Sequence, residues 1–136
     1  MDQHFIAVQS FSHQIECFCP GSIHTELLRI EEEDIIQLTD ERKYIANHGW
    51  YVMIIVDDFY SFYIALADME KYYMGGQILS QEDIELNVNY LQFQVDQSLD
   101  QHDEAKFKLV SQQLIESKER KMKLDNYMQT DEVTMI

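Results

Sequence analysis

Apolar and polar positions divide this chain into two halves of different rhythm. Phe5-Ile-Ala-Val-Gln-Ser-Phe11 and His13-Gln-Ile-Glu-Cys-Phe-Cys19 alternate in part and are rich in β-branched and aromatic residues, as strands are. Pro20-Gly21 reads as a turn. Ser22–Ile30 fits a strand better than a short helix, although Ile23, Leu27 and Ile30 also match helical spacing. Glu31-Glu-Glu-Asp34 makes a solvated acidic corner before a further strand, Ile35-Ile-Gln-Leu-Thr39. Lys43-Tyr-Ile-Ala46, Asn47-His-Gly49 and Trp50–Val56 spell a hairpin, because Asn and Gly tolerate the positive φ of a tight turn. The second arm is apolar on both faces and is expected to be a covered, central strand.

Beyond Val56 the period lengthens. Asp57-Asp58 can cap a helix, and Phe59, Phe62, Tyr63, Leu66, Met69 and Tyr73 recur at steps of three and four. The expectation is an aromatic helix over 59–74, closed by Gly75-Gly76 and packed on the sheet. Ser80-Gln-Glu-Asp83 opens another helix, in which Ile84, Val88, Leu91, Val95 and Leu99 form a stripe. Leu86, Tyr90 and Phe93 lie beside or behind that stripe, so one neighbour cannot cover the helix. A polar break at 100–103 follows, with Asp103 as the next cap and Phe107, Val110 and Leu114 as a shorter stripe. Apolar residues thin out after Ile115.

These patterns predict an α+β protein. An N-terminal antiparallel sheet of about four or five strands is packed by an aromatic helix and followed by a C-terminal helical hairpin. The expected divisions are an α+β region over 1–79, a helical module over 80–128 and a flexible tail over 129–136.

Charge sharpens the contrast. Residues 1–103 hold 19 acidic and 4 basic residues, whereas residues 104–136 hold 6 of each, so the net charge of −15 belongs to the first part. An acidic body repels nucleic acid and anionic membranes and attracts basic protein surfaces. No stretch is long and apolar enough to span a bilayer, and the N-terminus lacks the pattern of a signal peptide, so the expected location is the cytoplasm. Cys17 and Cys19 are too close for an unstrained disulfide and are expected to be reduced. With His13 and His24 they suggest a metal site only faintly, because no second cysteine pair completes it.

Catalysis finds little support. His4, His13, His24, His48 and His102 are scattered, and no glycine-rich phosphate loop, nucleophile elbow or zinc-protease motif is present. No enzyme, cofactor or metal is expected.

The segment Tyr90–Leu114 resembles the IDEAL domain, a short helical module of small bacterial proteins. Val95-Asp96-Gln97-Ser98-Leu99 stands where that family has its Ile-Asp-Glu-Ala-Leu string, and Asp100-Gln-His-Asp103-Glu104-Ala105-Lys-Phe107 follows its acidic break. His102 occupies a break in which the family often has Gly. The resemblance implies a helical hairpin for protein–protein contact, without chemistry of its own. It implies partner-binding residues among Tyr90, Phe93, Asp96, Leu99, Asp103 and Phe107. Some carriers of the module assist regulated proteolysis through the Clp unfoldases. A small regulatory protein acting as adaptor or modulator of a Clp-type AAA+ unfoldase such as ClpC is therefore the leading expectation, with RNA polymerase a second partner to consider. The alternative is an acidic inhibitor of a nucleic-acid-binding protein, including a DNA mimic. Spare apolar helix faces could also pair two copies. Whether Phe93 and Phe107 face core or solvent decides much of this.

Overall fold

The computed structural model describes residues 2–17 and 24–134, with no account of the side chains of residues 16, 17, 24, 25 and 130–134. The chain forms two compact units, residues 1–79 and 80–136, and its class is α+β. Among the described residues no helix is long and apolar enough to cross a membrane.

Among the described residues of the first unit, seven strands and one helix follow in order. They are β1 (Gln3–Ala7), β2 (Phe11–Cys17), β3 (His24–Ile30), β4 (Ile35–Ile45), β5 (Gly49–Val56), β6 (Tyr60–Ala65), α1 (Leu66–Met74) and β7 (Ile78–Ser80). Five strands make an antiparallel sheet in the order β6-β5-β4-β1-β7, and β2 pairs with β3 as a separate hairpin. Strand alternation sends Val52, Ile54 and Val56 of β5 to one face together with Phe5, Ile36, Phe62 and Ile64. The two-stranded hairpin contributes Phe11 and Ile30 to the same cluster, and α1 contributes Met69. The expected central strand 50–56 is β5, hydrogen-bonded on both sides; its second face is covered only in part, with Met53 and Ile55 half-buried and Trp50 exposed.

The aromatic helix expected over 59–74 is a strand for its first part. Asp57 and Asp58 do not cap a helix; both take positive φ, 53° and 59°. Phe59 N–H closes the turn on Val56 C=O at 3.1 Å, the left-handed pair that a tight hairpin needs. Tyr60, Phe62 and Ile64 also alternate, and β-branched and aromatic residues favour the pleated surface. Pairing with β5 satisfies the backbone there, and helix begins only at Leu66. Gly76 (φ 75°) ends that helix, with Gln77 N–H on Tyr72 C=O and Gly76 N–H on Tyr73 C=O, a Schellman motif.

The expected hairpin at 43–56 is present, with Asn47 at φ 69° and Gly49 at φ 99°. Ser22–Ile30 is β3 from His24 onward; Ser22 and Ile23 lie outside the described residues, as does Pro20-Gly21. Cys17 ends β2, while Cys19 lies outside the described residues, so the expectation of reduced thiols does too.

In the second unit, α2 (Gln81–Asp100) and α3 (Glu104–Thr134) pack as a hairpin. Ser80 caps α2 through a full capping box: its hydroxyl accepts from Asp83 N–H, and the Asp83 carboxylate accepts from Ser80 N–H. Leu91, Val95, Val110 and Leu114 form the core between the helices, with Val88 and Phe107 packed against it. Three polar pairs fix an antiparallel register: Gln81–Asp125 (3.0 Å), Asn87–Ser117 (3.0 Å) and Lys106–Gln97 (2.8 Å). The expected tail begins at Gln129, yet α3 runs on to Thr134. Ser117 and Leu124 are buried well past Ile115, so the thinner apolar pattern still carries an inward face.

Candidate functional site

The residues expected to meet a partner lie on α2, on the α2–α3 turn and on the first turns of α3. The turn is a second Schellman motif. His102, at φ 53°, is its left-handed residue. Asp103 N–H bonds Ser98 C=O at 2.9 Å and His102 N–H bonds Leu99 C=O at 3.2 Å. Gly is the usual occupant of such a position because it has no Cβ to clash. Asp103 then starts α3: its carboxylate accepts from Lys106 N–H at 3.1 Å and its carbonyl from Phe107 N–H at 2.9 Å. Asp103 is thus occupied in holding the turn, whatever else it meets.

Leu99 does not continue the buried stripe of α2. Ile84, Leu91 and Val95 are buried as expected, but Ser98 takes the next inward position and Leu99 is exposed. The steps four, three and four from 84 to 95 put the following inward residue at three rather than four. Ser98 satisfies its own hydroxyl by donating to Val95 C=O at 2.7 Å, so a small polar residue can sit where the helices meet. Leu99 turns instead toward a shallow cavity of about 250 Å³, lined by Ser98, Leu99, His102, Asp103, Glu104 and Phe107. That is below the roughly 300–1,000 Å³ of small-molecule sites. Phe107 is half-buried there and packs on the hairpin core. It is therefore part of the fold as well as of the cavity wall.

Phe93 faces solvent. So does Tyr90, and Leu86 completes the set: the three are 60%, 61% and 67% exposed. Their spacing of four and three places them on one line along α2, on the side away from Leu91 and Val95. Leu86 is absent from the residues the sequence nominated, although the signal was present in its i, i+4, i+7 relation to Tyr90 and Phe93. Asp96 is exposed, and its carboxylate accepts a hydrogen bond from the Gln92 amide at 3.3 Å. Tyr90, Phe93 and Asp96 thus share the outer surface of α2, whereas Leu99, Asp103 and Phe107 gather at the turn.

In the first unit, His13 is buried and its Nδ1 lies 2.7 Å from the Tyr72 hydroxyl, with Phe62 stacked at 5.8 Å. Burial pushes the Tyr72 hydroxyl pKa up, and nearby Asp68 adds to the rise. This cluster ties β2 to α1 and β6. Among the described residues no group of three or more His, Cys, Asp or Glu side chains is placed to hold a metal ion.

No protein-family model, curated protein or solved structure matches the chain.

Proposed function

We propose that this is a small, non-enzymatic regulatory protein of the cytoplasm. It docks on a larger protein machine, and a Clp-type AAA+ unfoldase of the ClpC kind is the first partner to consider. The observation that supports the reading is the outward line Leu86-Tyr90-Phe93. Three large apolar side chains stay in water on a helix whose opposite face already has its partner. Contiguous exposed apolar surface of this kind marks interaction sites, and aromatic residues dominate the energy of interfaces. A DNA mimic would present rows of carboxylates instead, which an apolar line interrupts.

The test uses the purified protein and a purified ClpC-type unfoldase, with association followed by calorimetry. Wild type is expected to bind, and Tyr90→Ser/Phe93→Ser to bind at least about tenfold more weakly. The variant should keep the wild-type circular dichroism, since both side chains are exposed. Absence of binding by the wild type, or equal binding by the folded variant, overturns the assignment. Salt separates the alternative inhibitor, whose affinity for a nucleic-acid-binding protein such as RNA polymerase should collapse between low and moderate salt.

A further inference from the structure

Helix α2 contains five acidic residues and no lysine or arginine in its 20 residues. Its acids are not spread evenly around the apolar line. Glu82, Asp96 and Asp100 are all exposed. They lie 14 and 4 residues apart in sequence, which on a 3.6-residue period aligns them as one flank of Leu86-Tyr90-Phe93. The other flank holds the amides Asn87 and Gln94 and one acid, Asp83, whose carboxylate accepts from Ser80 N–H in the capping box. Among the α3 cations, Lys106 donates to Gln97 at 2.8 Å, and Lys121 donates to Asp125 at 2.8 Å and also feels Glu85 of α2. The apolar line therefore has one strongly negative edge, and an opposite edge where a single acid is occupied in the helix cap.

From this asymmetry we infer that α2 recognises a basic amphipathic protein surface: an apolar groove or helix face with lysine or arginine along one border. The inference rests on α2 being the partner-binding face and adds the chemistry and polarity of what it meets. Helix-in-groove recognition reads anchors at this same i, i+4, i+7 spacing. The acids fix which way round the partner lies, because reversing it would set cations against amides and leave the acids unpaired. A second copy docked antiparallel on α2 would bring two acidic flanks together, and one docked parallel would leave each acidic flank facing amides without a cation, so neither arrangement pairs the acids. Anionic membranes and nucleic acid are repelled by the same acids.

The probe is a designed amphipathic helix of leucine and lysine about five turns long, set beside its leucine–glutamate counterpart. The full-length protein should bind the lysine peptide, with changed amide resonances centred on α2, and should ignore the glutamate peptide. Leu86→Ser/Phe93→Ser and, separately, Glu82→Lys/Asp96→Lys should each weaken binding at least about tenfold while circular dichroism stays unchanged. Equal binding by Leu86→Ser/Phe93→Ser would show mere attraction of opposite charges and overturn the inference. So would a dimer of the unbound protein, seen by sedimentation, that Phe93→Ser dissolves. The unfoldase reading fails separately: an unfoldase that does not bind, beside a lysine peptide that does, leaves this inference standing. Unfoldase binding indifferent to Glu82→Lys/Asp96→Lys overturns it and spares the function.

Discussion

Two residues in this protein, Tyr72 and His102, take positions that their type makes expensive. The Tyr72 hydroxyl and the Nδ1 of the buried His13 share a hydrogen bond, an arrangement worth about 0.5–1.5 kcal/mol. Tyr72→Phe should lose about that much at neutral pH, measured by urea unfolding. The pH dependence has a definite sign. The folded state holds the Tyr72 pKa above its ordinary 10.0, so the unfolded chain releases the proton first. Stability is whole below that value and declines as pH rises through it. Tyr60 and Tyr63, raised by hydrogen bonds to Glu26 and Glu41, act in the same direction, so Tyr72→Phe should flatten the alkaline loss without abolishing it. His102 is the second case. Its φ of 53° strains an L-residue, and His102→Gly should stabilise the α2–α3 turn by about 0.5–1 kcal/mol after allowing for the entropy of glycine. A lower urea midpoint for that variant would contradict the Schellman reading of the break.

At the scale of elements, turns decide more than periodicity does. Asp57 accepts from Ile35 N–H at 2.7 Å while its own N–H bonds Ile35 C=O at 2.8 Å. It thereby pins the start of β4 to the β5–β6 turn. Asp57→Ala should cost about 1–3 kcal/mol, because the acceptor goes and alanine is left at positive φ; Asp57→Asn, which keeps an acceptor and tolerates that φ, should cost clearly less. Similar losses for the two would show that the carboxylate charge, and not the turn, carries the effect. The same turn explains what the sequence concealed. Phe59, Phe62, Tyr63 and Leu66 match a helix, Tyr60, Phe62 and Ile64 match a strand, and only the left-handed Asp pair and the pairing with β5 choose between them. Where turn chemistry was explicit, as in Asn47-His48-Gly49 and Ser80-Gln-Glu-Asp83, the elements were legible. The site was legible in part: the helical pattern set Tyr90 and Phe93 beside or behind the inward stripe and the resemblance nominated them, but which side of α2 they face depends on α3. Leu99 was misplaced by one residue of the stripe, because its apolar side chain was followed in place of the helical step, which falls on Ser98.

The molecule as a whole carries its −15 net charge almost entirely before residue 104. Self-repulsion in such a body weakens the compact state, and salt screens it over a length of about 10 Å at 0.1 M. Raising salt from about 0.01 to 0.2 M should therefore raise the melting temperature while it slows association with a basic partner. A protein whose stability ignored salt would place its acids too far apart to interact. The two responses have opposite practical consequences, so binding assays belong at salt low enough to keep steering and high enough to keep the fold.

Ser80 is at once the last residue of β7 and the cap of α2. No slack residue separates an edge strand from the helical hairpin. A pulling motor that gripped the end of α3 would, once the hairpin opened, load β7 directly. That strand is three residues long and hydrogen-bonded along one side only, to β1. Its departure would uncover Ile78, now fully buried, and free the edge of β1.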